Sequence, residues 1–139
     1  MSIIVSDSGF AADDWTQGFT AAADLPANDT APAPAVDLAS DADPATLQNR
    51  LTGIALIRVD FPSFADGRGF TIARRLRLLG FTGRLRAKGH VLADQYAMAR
   101  RSGFDEVEID DALATRQPEA QWRDRANWTA HDYQSRLRA

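Results

Sequence analysis

Cysteine is absent from this chain of 139 residues. That excludes disulfides, thiolate metal sites, cysteine-held iron–sulfur clusters and a cysteine nucleophile. Histidine is scarce as well. His90 and His131 are the two present, too few for a histidine-rich metal centre. No stretch approaches the roughly 20 apolar residues of a membrane span. The start, Met1-Ser2-Ile3-Ile4-Val5-Ser6-Asp7, lacks the basic flank and long apolar run of a secretory signal. These absences point to a cytoplasmic protein with no cofactor, no metal and no membrane contact.

Lysine is also nearly missing. Fifteen of the sixteen basic residues are arginine, and Lys88 is the exception. The net charge of −3 is split unevenly. Residues 1–50 hold eight Asp and one Arg, giving −7; residues 51–139 hold eleven acids and fifteen bases, giving +4. Nucleic-acid binding normally needs a strongly basic face, so acidity overall argues against it. With 45% hydrophobic and 25% charged residues, the composition is that of one ordinary globular domain.

Residues 1–25 carry an apolar start that suits a short strand or hairpin. Residues 26–35 are proline-rich and polar, which reads as a loop. The expected division is an N-terminal segment over 1–35 and an α/β domain over 36–139. Val36–Ala39 suits a short strand. Asp43 and Pro44 signal a helix start, with Leu47 and Leu51 on one face and Gly53 after it. Ile54–Val59 is a nearly continuous apolar run and reads as a strand buried on both faces. Over 70–79, Ile72, Leu76 and Leu79 form an apolar stripe, with Arg74, Arg75 and Arg77 on a solvated face.

Residues 84–88 alternate polar and apolar, as a half-exposed strand does. A helix over 91–102 and a strand over 105–109 follow. From Asp110 the tail reads as helical, broken before Pro118. Trp122, Trp128 and Tyr133 are its packing anchors. Alternating strands and helices imply βαβ units, and so a parallel sheet of about four strands with packed helices.

The densest chemistry follows the apolar strand, in Asp60-Phe61-Pro62-Ser63-Phe64-Ala65-Asp66-Gly67-Arg68-Gly69-Phe70. Sites in parallel α/β sheets form at the carboxyl ends of strands. Gly67 and Gly69 permit close backbone approach. A dinucleotide loop does not fit, because Ile72 fills the third glycine place and the tight turn after the strand is missing. If the strands are neighbours, Asp60, Asp66 and Arg68 come near Lys88, His90 and Asp94. That patch has two readings. It is a small-anion pocket with Arg68 and Lys88 as donors, or it is a set of braces in which Arg68 pairs with Asp60, Asp66 or Asp94. His90 is either a general base or a loop brace. Arg58 interrupts its apolar strand and is expected to reach a carboxylate at the strand end.

The run Phe61–Phe70 resembles the phenylalanine–proline and aspartate–glycine–arginine–glycine signature of a bacterial family, the domain of unknown function numbered 934. Gly83–Ala87, Gly89–Gln95 and Arg101–Asp105 resemble it too. Members are described as a probable oxidoreductase involved in sulfite reduction. His90 stands where the family usually has an acid, and Ser102 where it often has cysteine. The resemblance implies an accessory role in assimilatory sulfate or sulfite reduction, with sulfite reductase or another protein of that route as partner. Two other readings stay open. One is a stand-alone small-anion binder or enzyme that uses the Asp66–Arg68 patch. The other is an interaction module that docks on a reductase subunit.

Overall fold

A computed structural model of the chain describes residues 2–25 and 34–128. Most of the proline-rich loop lies outside these residues, as do His131 and Tyr133. Seven strands form one sheet: β1 (Ser2–Ser6), β2 (Gly9–Ala12), β3 (Thr20–Ala21), β4 (Ala35–Leu38), β5 (Leu56–Phe61), β6 (Arg84–Gly89) and β7 (Glu106–Asp110). Their order across the sheet is β2-β1-β7-β6-β5-β4-β3. Strands β3 to β7 run parallel, while β1 is antiparallel to both β7 and β2. The expected count of about four is therefore corrected to seven. The four strands expected from residue 36 onward are β4 to β7; β1 and β2 form the hairpin expected in residues 1–25, and β1 joins it to the sheet by pairing with β7, a hundred residues away.

The helices are α1 (Arg68–Leu78), α2 (Tyr96–Ser102), α3 (Asp111–Arg116) and α4 (Glu119–Arg123). The expected helix after Asp43 is instead two 3₁₀ turns, Pro44–Leu47 and Leu51–Gly53. Asp43 still caps the first turn, accepting from the Ala45 amide at 3.0 Å. Leu47 and Leu51 are both buried, so the apolar pair seats without a continuous helix.

From β4 to β7 the chain steps along the sheet in one direction. Right-handed crossovers in a constant direction place every connection on the same face. On that face Val36, Ile57, Val59, Leu85 and Val107 pack against Ile72, Ala73 and Leu76 of α1 and Tyr96 and Ala99 of α2, all buried. Trp122 of α4 joins this core, 1% exposed, edge-on to Tyr96 at 6.2 Å. Gly69 is required here, because a Cβ would run into the Phe61 ring.

The opposite face receives no crossover. Its residues are the intervening positions of the same strands, and they are charged. Asp37, Arg58, Arg86 and Glu106 lie side by side across β4 to β7. Asp60, Lys88 and Glu108 form the next row. Residues 13–19 cover this face. They link β2 to β3, which are the two edges of the sheet. Six inter-strand spacings amount to about 29 Å, close to the full extension of the chain from Ala12 to Thr20. Sheet twist brings the edges nearer, yet the shortest route still lies straight across the face.

Candidate functional site

The first sequence-selected group is the loop after β5. Arg68 donates from Nε to Asp66 Oδ1 at 3.0 Å and from Nη2 to Asp66 Oδ2 at 2.7 Å. Nη2 also reaches Ser40 Oγ at 2.9 Å. The Asp66 carboxylate further accepts the Arg68 amide at 3.0 Å. These bonds, led by the guanidinium, hold the Asp66 carboxyl down to about 2. The loop is thus braced by its own ion pair, and Arg68 has no charge left unmatched. Asp94 takes no part, since it pairs with Arg125 at 2.8 Å. Of the expected patch, Asp60 lies beside Lys88 in the register, while Asp66 and Arg68 bond each other and Asp94 bonds Arg125.

The second group is Lys88 and His90, at the carboxyl end of β6. Both line a cavity of about 160 Å³ with Ser2, Phe64, Glu108, Asp110, Leu113 and Arg116. Ser2 and Asp110 are register partners in β1 and β7, so the cavity sits where the parallel run meets the antiparallel strand. The His90 Nδ1 lies 3.2 Å from the Phe61 carbonyl. A carbonyl only accepts, so Nδ1 carries the proton and Nε2 is left free. Phe64 meets the imidazole edge-on at 4.9 Å. The bracing expected of His90 is present, and the ring also faces the cavity.

Charge distinguishes the two groups. Lys88 and Arg116 are exposed, and neither makes an ion pair among the described residues. Asp60, beside Lys88 in the register, makes none either. The Glu108 carboxylate is 4% exposed and already engaged. It accepts from Arg86 at 2.7 Å, from Arg58 at 3.2 Å and from Ser2 at 3.2 Å. Its charge is therefore neutralised where it forms the cavity wall.

The chain of charges behind Glu108 was not expected from the sequence. Arg58 grips Asp37 at 2.6 and 2.8 Å, which satisfies the requirement for a carboxylate with a neighbour in mid-strand. Arg86, read as half-exposed, is fully buried. It bonds Glu106 at 2.6 Å and faces Asp13 of the crossing segment at 3.2 Å. Arg84 joins Glu106 at 2.8 Å to Asp14 at 2.9 Å. The Phe19 ring stacks on the Arg58 guanidinium at 3.6 Å. A signal did exist: Arg-x-Arg-x-Lys on β6 matches Glu-x-Glu on β7, opposite charges at the same alternation.

A larger hollow of about 760 Å³ opens at the amino ends of the strands. Its arginines are occupied. Arg77 bonds the carbonyls of Gly103, Phe81 and Gly83 as well as Asp105, which corrects its expected place on a solvated face. Arg100 bonds the Phe104 carbonyl at 2.6 Å. Among the described residues, no group of acids and histidines could hold a metal ion, and no helix is long and apolar enough to cross a membrane.

Residues 35–139 fit a family described as bacterial protein of unknown function, DUF934. No curated protein and no solved structure matches the chain.

Proposed function

Because the chain belongs to this bacterial family of unknown function, we propose that it serves assimilatory sulfate or sulfite reduction as an accessory protein that binds a small oxyanion. The anion site is the cavity at the carboxyl ends of β6 and β7, not the Asp66–Arg68 loop. One observation carries this reading: Lys88 and Arg116, two cations without carboxylate partners among the described residues, line a single cavity. Charge-assisted bonds from such donors to an oxyanion are about twice as strong as neutral ones. The cavity volume, about 160 Å³, admits an anion of a few heavy atoms and excludes a nucleotide.

The docking-module reading has less support. Leu78 and Met98 are the large hydrophobic side chains exposed among the described residues, too little apolar surface for a stable protein interface.

Titration calorimetry of the full chain with sodium sulfite tests the site. Lys88→Ala and Arg116→Ala should each weaken binding roughly tenfold, the worth of one charge-assisted bond. Undiminished binding in both variants would place the anion elsewhere. Deletion of the gene should impair growth on sulfate and spare growth on cysteine. The wild-type copy should restore growth and Lys88→Ala should not.

A further inference from the structure

The cavity holds a negative group as well as positive ones, and that group bears on which anion can enter. Asp110 ends β7 and caps α3, accepting the Leu113 amide at 2.8 Å on Oδ1. No hydrogen bond reaches its Oδ2 among the described residues. The carboxylate lines the cavity together with Lys88 and Arg116. Glu108 is different. It lines the same wall but is saturated by Arg58, Arg86 and Ser2. Among the residues that line the cavity, the open acceptors are therefore Asp110 Oδ2 and His90 Nε2.

An ionised carboxylate can accept hydrogen bonds and cannot donate them. An anion that carries a proton can satisfy it with an O–H. An anion without one meets it oxygen to oxygen, with like charges at contact and no hydrogen between them. We propose that this cavity selects a protonated oxyanion, of the class of hydrogen sulfite and hydrogen phosphate, over the fully deprotonated sulfate dianion, and that Asp110 makes the selection. Lys88 and Arg116 supply attraction common to all three anions. Asp110 supplies the difference, because specificity arises from the contact that the wrong ligand cannot make. The inference rests on the anion site proposed above and adds its ligand class.

Asp110→Asn tests this without disturbing the fold, because Asn caps a helix as well as Asp. Its oxygen must stay on the Leu113 amide, which turns the NH₂ group into the cavity. The acceptor becomes a donor. In parallel calorimetric titrations of the full chain, wild type should bind sulfite and phosphate roughly tenfold or more tighter than sulfate, the worth of one matched hydrogen bond against an unmatched one. In Asp110→Asn that preference should vanish or reverse. Asp110→Ser keeps the cap but removes the carboxylate; it should lose the preference, because sulfite and phosphate lose their acceptor and sulfate is released from like-charge contact. Circular dichroism checks that each variant is folded. Equal affinity of wild type for the three anions, or a preference unchanged in Asp110→Asn, would overturn the selection and leave the site standing. Binding of none of the three by wild type would overturn the site and the selection together.

Discussion

The two faces of the sheet are odd and even positions of the same strands, yet they are held by different physics. On the helix side, Ile57, Val59, Leu85 and Val107 meet α1 and α2 through dispersion and the removal of apolar surface from water. On the other side, Arg58, Arg86, Glu106 and Glu108 meet one another, and residues 13–19 close over them. An apolar contact tolerates a shortened neighbour at the cost of a cavity. A buried charge does not tolerate losing its partner, because its desolvation is no longer offset. The helix-free face should therefore be the more brittle of the two.

Removing the guanidinium at the centre of that face is expected to have the largest effect. Arg86→Ala removes the buried arginine shared by Glu106 and Glu108, leaving Glu106 to Arg84 and Glu108 to Arg58, and should cost about 3–5 kcal/mol in urea denaturation. Its register neighbour on the helix side is the control. Leu85→Ala leaves a void and should cost about 2–5 kcal/mol, in the lower half if the core relaxes. A cost for Leu85→Ala well above that for Arg86→Ala would reverse the comparison.

A smaller effect follows at the surface of the network. Asp14 is 68% exposed in its pair with Arg84. Asp14→Asn should cost about 0.5 kcal/mol or less, and the cost should shrink further in high salt. A loss as large as that of Arg86→Ala would mean that the crossing segment, not the arginines beneath it, holds the face together.

The smallest effect belongs to the self-paired loop. The Arg68 guanidinium keeps the Asp66 carboxyl at about 2. A depressed carboxyl favours the folded state above its unfolded value of about 4, and the contribution is lost as the pH falls through about 2. In Arg68→Ala the carboxyl should rise from about 2 toward its ordinary value, held somewhat below it by the residue-68 amide, as followed by carbon-13 NMR, with growth on sulfate unaffected. Loss of growth in a well-folded Arg68→Ala protein would return the function to this loop.

The parts of this fold that were readable are those whose signal is local. The stripe of Ile72 and Leu76, the glycine stops and the apolar run of β5 needed no partner to be seen. Arg77 shows the limit of that reading. Its position off the apolar stripe suggested solvent, but three carbonyls from the turns around Phe81, Gly83 and Gly103 converge on it. Arg86 shows the same limit in a strand, since alternation marks which face a residue occupies and not what lies over that face. Of the cavity lining, Lys88 and His90 were singled out in the sequence, whereas Asp110, Arg116 and Ser2 were not. Asp110 ends β7, Arg116 lies in α3 and Ser2 in β1, and these elements are set beside the end of β6 by long-range pairing of β7 with β6 and of β1 with β7.

Composition and periodicity by themselves determined that the chain is α/β, where its central strands and first long helix run, and that no thiol chemistry is available to it. Those properties are set by each residue and its near neighbours along the chain. Tertiary structure alone decided which arginines are matched and which are free. Arg68 finds its acid two residues away, and Arg86 finds two on the next strand. Among the described residues Lys88 and Arg116 find none: Glu108 is engaged by other arginines, Asp110 is turned to a cap, and Asp60 lies beside Lys88 without closing an ion pair. Pairing of charges depends on distances through space of a few ångströms, and those are set by strand order and register rather than by separation along the chain.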